Sequence, residues 1–355
     1  MAQPDLETPI FDALDGLAPP HQQQLFFSHQ EQEKALLNAW QSGKMHHAWI
    51  LTGPKGIGKA TFAYRAARFI FDSGATGDGF ALIQPADLAI NPESHTARQV
   101  ANRAHPNLLS IERPYDPKGK KFRTEITVDE VRKTVRFFGS TAGEDTWRVC
   151  IVDPADDLNS NAANALLKIL EEPPVKTVFF LISHAPGRLL PTIRSRCRRL
   201  HFAPLENPTL SKALTDLEIV SADNVEQMSQ ICEGSLRKAA ELQSEDGMIM
   251  VHAFERLLTP PFKPDYESLH HFGDLVAQRG KDQNFAHFSD LVFRYLTRQL
   301  HEKRSSEAAS SKSLMALADA WERVGETLRE TQIFNLDKKQ TAINVVRMLA
   351  EASRA

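Results

Sequence analysis

Along the chain, apolar positions alternate between helical spacing and short unbroken runs. Gln30 to Gln41 reads as a helix, and Ala48-Trp49-Ile50-Leu51-Thr52 as a buried strand that runs straight into a glycine-rich loop. Beyond the loop, Phe62, Ala66, Phe69 and Ile70 fall at i, i+4, i+7 and i+8, which predicts a helix with one face laid on a sheet. Periodicity is weak from Ser73 to His105. A hairpin is predicted from Leu108 to Thr127, turning at Asp116-Pro117-Lys118-Gly119-Lys120. Thr127-Val128-Asp129-Glu130 has the form of a capping box, and Val128, Val131, Val135 and Phe138 continue it as an amphipathic helix. Strands are expected at Arg148 to Val152, Thr177 to Ile182 and Arg199 to Phe202, with a helix from Ser160 to Glu172 stopped by Pro173-Pro174. Strands alternating with helices imply a mainly parallel sheet covered on both faces.

Beyond Pro204 the strand signal ends. Leu210 to Leu242 reads as short helical segments, Met248 to Ala352 as a helical bundle, and Ser305 to Ser313 as a loop between helices. One stripe stands out there: Leu314, Leu317, Ala318, Trp321, Val324 and Leu328 share a helix face, read first as core and second as an intersubunit surface. No internal repeat is visible.

Composition narrows the functional classes. The 355 residues suffice for two or three domains, and 42 Lys and Arg against 45 Asp and Glu leave a formal charge of −3. Near neutrality argues against a dedicated nucleic-acid binder. The Lys118, Lys120, Lys121 and Arg123 cluster is read as a solvated turn in preference to a DNA contact. Cys150, Cys197 and Cys232 are odd in number and lack C-x-x-C spacing, so neither a disulfide framework nor a zinc knuckle is expected, and a reducing cytoplasm fits best. Met1 to Leu17 carries four acids and no Lys or Arg, unlike a signal peptide, and no apolar run approaches membrane-spanning length.

The chemistry lies in three places. Gly53-Pro54-Lys55-Gly56-Ile57-Gly58-Lys59-Ala60 matches the phosphate-binding pattern G-x-x-x-x-G-K-[ST] except at its last position, where Ala60 replaces the hydroxyl that binds Mg²⁺. Thr61 does not replace it, because one helical residue turns a side chain by about 100°. At the end of a second hydrophobic strand, Asp153 is placed to orient Mg²⁺ and its waters, but the next residue is Pro154, which has no acid–base group. Metal neutralisation and an oriented nucleophile both contribute orders of magnitude to phosphoryl transfer, so hydrolysis by this chain is not expected. The third place is Arg196 in Ser195-Arg196-Cys197, a permanent charge with a rigid donor fork suited to a γ-phosphate and expected to project from a domain edge; the alternative is an ordinary surface arginine among Arg194, Arg198 and Arg199.

Met45 to Pro54, Asn161 to Pro174 and Ser195-Arg196-Cys197, in that order, resemble the bacterial clamp-loader subunits of the AAA+ class, with the match running roughly from Leu25 to Leu242. The resemblance implies a RecA-like P-loop domain with a mainly parallel sheet over residues 21–204, after an N-terminal tail over 1–20. It further implies a small helical lid over 205–245 and an all-α collar over 246–355. It implies partners too: gamma or tau motor subunits, a delta subunit, and through the complex the ring-shaped beta clamp and primed DNA. In the family's stator branch the arginine of the S-R-C motif enters a neighbouring motor's ATP site, a role Arg196 takes by position. Ser183 falls where sensor-1 residues lie, and Gly234-Ser235-Leu236-Arg237 resembles the sensor-2 segment, placing Arg237 near phosphates. Many relatives carry a four-cysteine zinc module, but no cysteine lies between Ala60 and Val149; no zinc is predicted, and His95 and His105 are read as loop histidines. Intact Gly53, Gly58 and Lys59 leave ATP or ADP binding without hydrolysis open as a structural role. The rival expectation is an ATP-hydrolysing motor subunit, against which Ala60 and Pro154 stand.

Overall fold

The computed structural model describes residues 9–14, 16–75, 85–139, 146–220, 224–243, 245–281, 283–305 and 311–354. Two compact units divide the chain, Met1–Ala240 and Glu241–Ala355. The expected loop at Ser305 to Ser313 lies largely outside the described residues.

The first unit is built on five parallel strands: β1 Ala48–Thr52, β2 Leu108–Ile111, β5 Arg148–Val152, β6 Thr177–Ser183 and β7 Arg198–His201, in the order β2-β5-β6-β1-β7. The two-residue strands β3 Tyr115–Asp116 and β4 Lys121–Phe122 form a separate hairpin. Side chains alternate between the two faces of the sheet, and each face has its own core. Trp49, Leu51, Val149, Ile151, Val178 and Phe180 meet α1 Gln30–Gln41 and α2 Lys59–Ala75, whose predicted face of Phe62, Ala66, Phe69 and Ile70 is buried. Ala48, Ile50, Cys150, Val152, Phe179 and Leu181 meet α4 Val128–Gly139 and α5 Ser160–Glu171. Each fully buried Leu, Ile or Phe contributes about 1.5–3 kcal/mol. The cap of α5 is Asn159, whose side chain accepts from the Ala162 amide.

Three local expectations are corrected. Leu108 does not begin a hairpin: Leu108–Ile111 pairs parallel with Val149–Val152 as the sheet's edge strand, and the hairpin is confined to β3 and β4. His95 is not in a loop but opens a short helix, α3 His95–Ala101, while His105 stacks on Phe71 with ring centroids 4.0 Å apart. In α4, Val131 is buried but Val135 is exposed. That helix meets the sheet along a stripe too narrow to cover both.

After β7, preceded by the short helix α6 Pro191–Ser195, come α7 Asn207–Asp216, α8 Val225–Cys232 and α9 Leu236–Leu242. The second unit holds α10 Glu245–Leu257, α11 Tyr266–Val276, α12 Gln283–Ser305, α13 Ser311–Phe334 and α14 Lys338–Arg354. Its core centres on Phe254, Phe272 and Phe288, whose ring centroids lie 5.7–6.3 Å apart. On α13, Leu317, Val324 and Leu328 are buried as predicted, whereas Trp321 and Ala318 are exposed, so the stripe is part core and part surface. Among the described residues no helix is long and apolar enough to cross a membrane.

Candidate functional site

The loop from Gly53 to Gly58 takes a path that only glycine allows at three points. Gly53, Gly56 and Gly58 have φ of 143°, 81° and 103°. A Cβ on Gly53 would stand 2.2 Å from the Phe202 carbonyl oxygen, and one on Gly56 would meet Ser235 Oγ and Arg237 Cβ at 2.4 Å. Both contacts hold the loop against its neighbours. Ser235 Oγ donates to the Lys55 carbonyl at 3.1 Å, and His29 Nε2 donates to the Ile57 carbonyl at 2.8 Å. That hydrogen bond favours the charged form of His29, but burial outweighs it and lowers the pKa. Ile57 itself is buried.

Lys59 opens α2 and is nearly enclosed. Its Nζ donates to the Gly53 carbonyl at 2.7 Å and to that of Pro54. Burial lowers its pKa to about 8, with Asp153 and Asp156 opposing the shift and Lys55 adding to it. Across the sheet edge the Asp153 carboxyl is pushed up to about 7, first by burial and then by the Asp12 and Glu112 carboxylates, while Lys59 and Lys55 pull it down. An amine and a carboxyl, each disfavoured as an ion by burial, thus border one pocket.

Ala60 and Thr61 both reach that pocket, as do His184 and Arg237. Ser183 does not line it: its hydroxyl donates to Asp156 Oδ1 at 2.7 Å, and Asp156 Oδ2 accepts from the His184 and Ala185 amides at 2.5 and 3.2 Å. Asp156 therefore fixes the turn after β6. The His184 imidazole is lowered to about 4 by burial and by Lys59, so it faces the pocket uncharged. Two glycines that leave no room for a Cβ, a third held at positive φ, and a buried lysine fit a phosphate group. For Mg²⁺ the fit is poorer, since Ala60 brings no oxygen and burial disfavours the charged form of Asp153. Among the described residues no group of His, Cys, Asp and Glu gathers as a metal site.

Arg237, on α9, pairs with the N-terminal segment. Its Nη2 donates to Asp12 Oδ1 and its Nη1 to the Asp12 carbonyl, both at 2.8 Å, and Lys55 Nζ reaches the same Oδ1 at 3.1 Å. Sequence reasoning missed Asp12, Asp156, His184 and His29. Asp156 stands three residues beyond Asp153; for Asp12, more than 200 residues from Arg237, no local signal existed.

Arg196 lies at the other end of the sheet. Strands β1 and β7 run parallel, with Trp49 opposite Arg198 and Thr52 opposite His201, so the loop leaves β1 at the edge where β7 ends. Arg196 precedes β7, whose four residues span about 13 Å at ~3.3 Å each. Its Nη2 meets Glu171 Oε1 at 2.9 Å and its Nη1 donates to the Thr192 carbonyl at 3.1 Å, with about a third of the side chain exposed. It is oriented, reachable from outside and remote from its own loop.

A parallel-sheet P-loop module of the AAA+ class is what this arrangement defines. The profile of the family described as "DNA polymerase III, delta subunit" matches residues 28–206, just over half of the 355. The chain belongs to that family. It is 36% identical over 204 residues to the DNA polymerase III subunit delta' of Pseudomonas aeruginosa, covering 56% of each chain. To the subunit delta' of Bacillus subtilis it is 29% identical over 215 residues, covering 60% of this chain and 58% of the relative. The DNA polymerase III subunit tau of Bacillus subtilis is 27% identical over 278 residues, 78% of this chain and 42% of the relative. These alignments span only about two-fifths to three-fifths of the relatives' length.

Proposed function

We propose that this chain is the delta-prime-like, non-hydrolysing subunit of a bacterial clamp loader, an accessory subunit of the DNA polymerase III holoenzyme. It lends Arg196 in trans to the ATP site of a neighbouring gamma or tau subunit. The observation that carries this reading is the separation of Arg196 from its own phosphate loop by the length of β7. A guanidinium oriented by Glu171 at a domain edge suits charge developing on a neighbour's γ-phosphate, whereas the home site has Ala60 and Pro154 where phosphoryl transfer needs a metal ligand and an acid–base group. In this reading the delta subunit, the beta sliding clamp and primed DNA are met through the assembled complex.

The motor reading draws on one feature, the intact glycines with buried Lys59, together with the likeness to a tau subunit. Turnover by the purified chain separates the two. Negligible steady-state hydrolysis, unchanged by Lys59→Ala, is expected; turnover comparable to a gamma or tau subunit and abolished by Lys59→Ala would establish the motor.

A further inference from the structure

Phe11 to Leu14 lie against the phosphate loop. Phe11 sits edge-on to Phe122 with centroids 5.2 Å apart, under the Arg113 guanidinium at 5.6 Å. The chain turns at Asp12 and Gly16, where φ is 61° and 76°. Phe11, Asp12, Ala13, Leu14 and Leu17 line the same pocket as Gly56 to Thr61, and the cavity left beside them is about 150 Å³. Ordinary small-molecule sites measure about 300–1,000 Å³.

The chemistry of the contact is that of an anion at a phosphate site. Asp12 takes the planar fork of Arg237 through its carboxylate and its carbonyl, and shares the carboxylate with Lys55. Lys55, Lys59, Arg103 and Arg237 line the pocket; Arg103 pairs with Glu112, and Asp12 engages Lys55 and Arg237. A polyphosphate brought to the same cations would meet the Asp12 carboxylate at close range, and both anions cannot hold them at once.

We propose that Phe11–Leu14 is a built-in strap that closes the phosphate loop, with Asp12 as an internal competitor for the phosphates of a nucleoside di- or triphosphate. This rests on reading the loop as a phosphate cradle and is independent of Arg196. The nucleotide binds only the fraction of molecules whose strap has lifted, so its apparent affinity is reduced by that fraction. Hydrophobic anchoring by Phe11 and the Arg237 fork hold the strap down without a covalent tie, which makes its occupancy adjustable by anything that neutralises Asp12 or competes for Arg237.

The test is ADP binding to the purified full-length chain, followed by calorimetry, for the wild type, Asp12→Asn, and Asp12→Asn combined with Lys59→Ala. At least tenfold tighter binding in Asp12→Asn, lost again in the double variant, is expected. Equal affinity of wild type and Asp12→Asn, no binding by either, or a gain that survives Lys59→Ala overturns the strap. Should Asp12→Asn prove unfolded by circular dichroism, hydrogen exchange on the wild type decides: amides of residues 11–14 exchange faster with millimolar ADP, and unchanged exchange overturns the proposal. None of these readouts involves a neighbouring subunit, so failure of the in-trans arginine leaves them unaffected.

Discussion

At the residue scale, an exposed ion pair and a buried carboxyl carry different energies. Arg196 and Glu171 meet at 2.9 Å near the surface, where an ion pair contributes about 0–1 kcal/mol. Glu171→Ala is therefore expected to leave the urea midpoint of the isolated chain within the equivalent of about 0.5 kcal/mol; a larger loss would make the pair a structural element and not an aiming device. Asp153 is different because its carboxyl is raised from the ordinary 3.8 to about 7, first by burial and then by the Asp12 and Glu112 carboxylates. The folded chain then binds more protons than the unfolded one between those values, and stability falls as pH rises through that window. Replacing Asp153 with Asn removes this dependence. Urea midpoints at pH 5 and pH 8 should show the wild type losing ground to Asp153→Asn, and a difference independent of pH would contradict the assigned environment.

Among the elements, α4 and α5 make the sharpest comparison. Leu166 on α5 is fully enclosed against the sheet, and Leu166→Ala should cost about 2–5 kcal/mol in chemical denaturation. Val135 on α4 is 63% exposed, and Val135→Thr should change stability by no more than about 0.5 kcal/mol. A substantial loss at Val135 would mean that its exposed face is packed. Why one was legible in the sequence and the other not has a physical cause. Gln30–Gln41 and Ala48–Thr52 occur where the local pattern placed them, because a helix stripe and a buried run are local signals. Leu108–Ile111 has its partner 41 residues away on β5, and parallel pairing leaves no turn signature, so a nearby proline–glycine turn claimed it for a hairpin. Val135 matched helical spacing, but spacing cannot say how wide the facing surface is.

For the whole molecule, the loop, the acidic strand end and the edge arginine were each legible as motifs, while their arrangement was not. Only the register of β1 against β7 puts Arg196 at the far edge from Gly53, and only a contact across more than 200 residues brings Asp12 to Arg237. The architecture thus leaves Arg196 reachable from outside and sets Asp12 against Lys55 and Arg237 at the phosphate loop. The direct measurement is single-turnover ATP hydrolysis in a reconstituted complex in which the subunit abutting Arg196 carries the one hydrolysis-competent site. Arg196→Ala should slow that turnover by about 10³-fold or more, with the complex still assembled and the fold of this chain unchanged. Hydrolysis at the wild-type rate in such a complex would contradict the account.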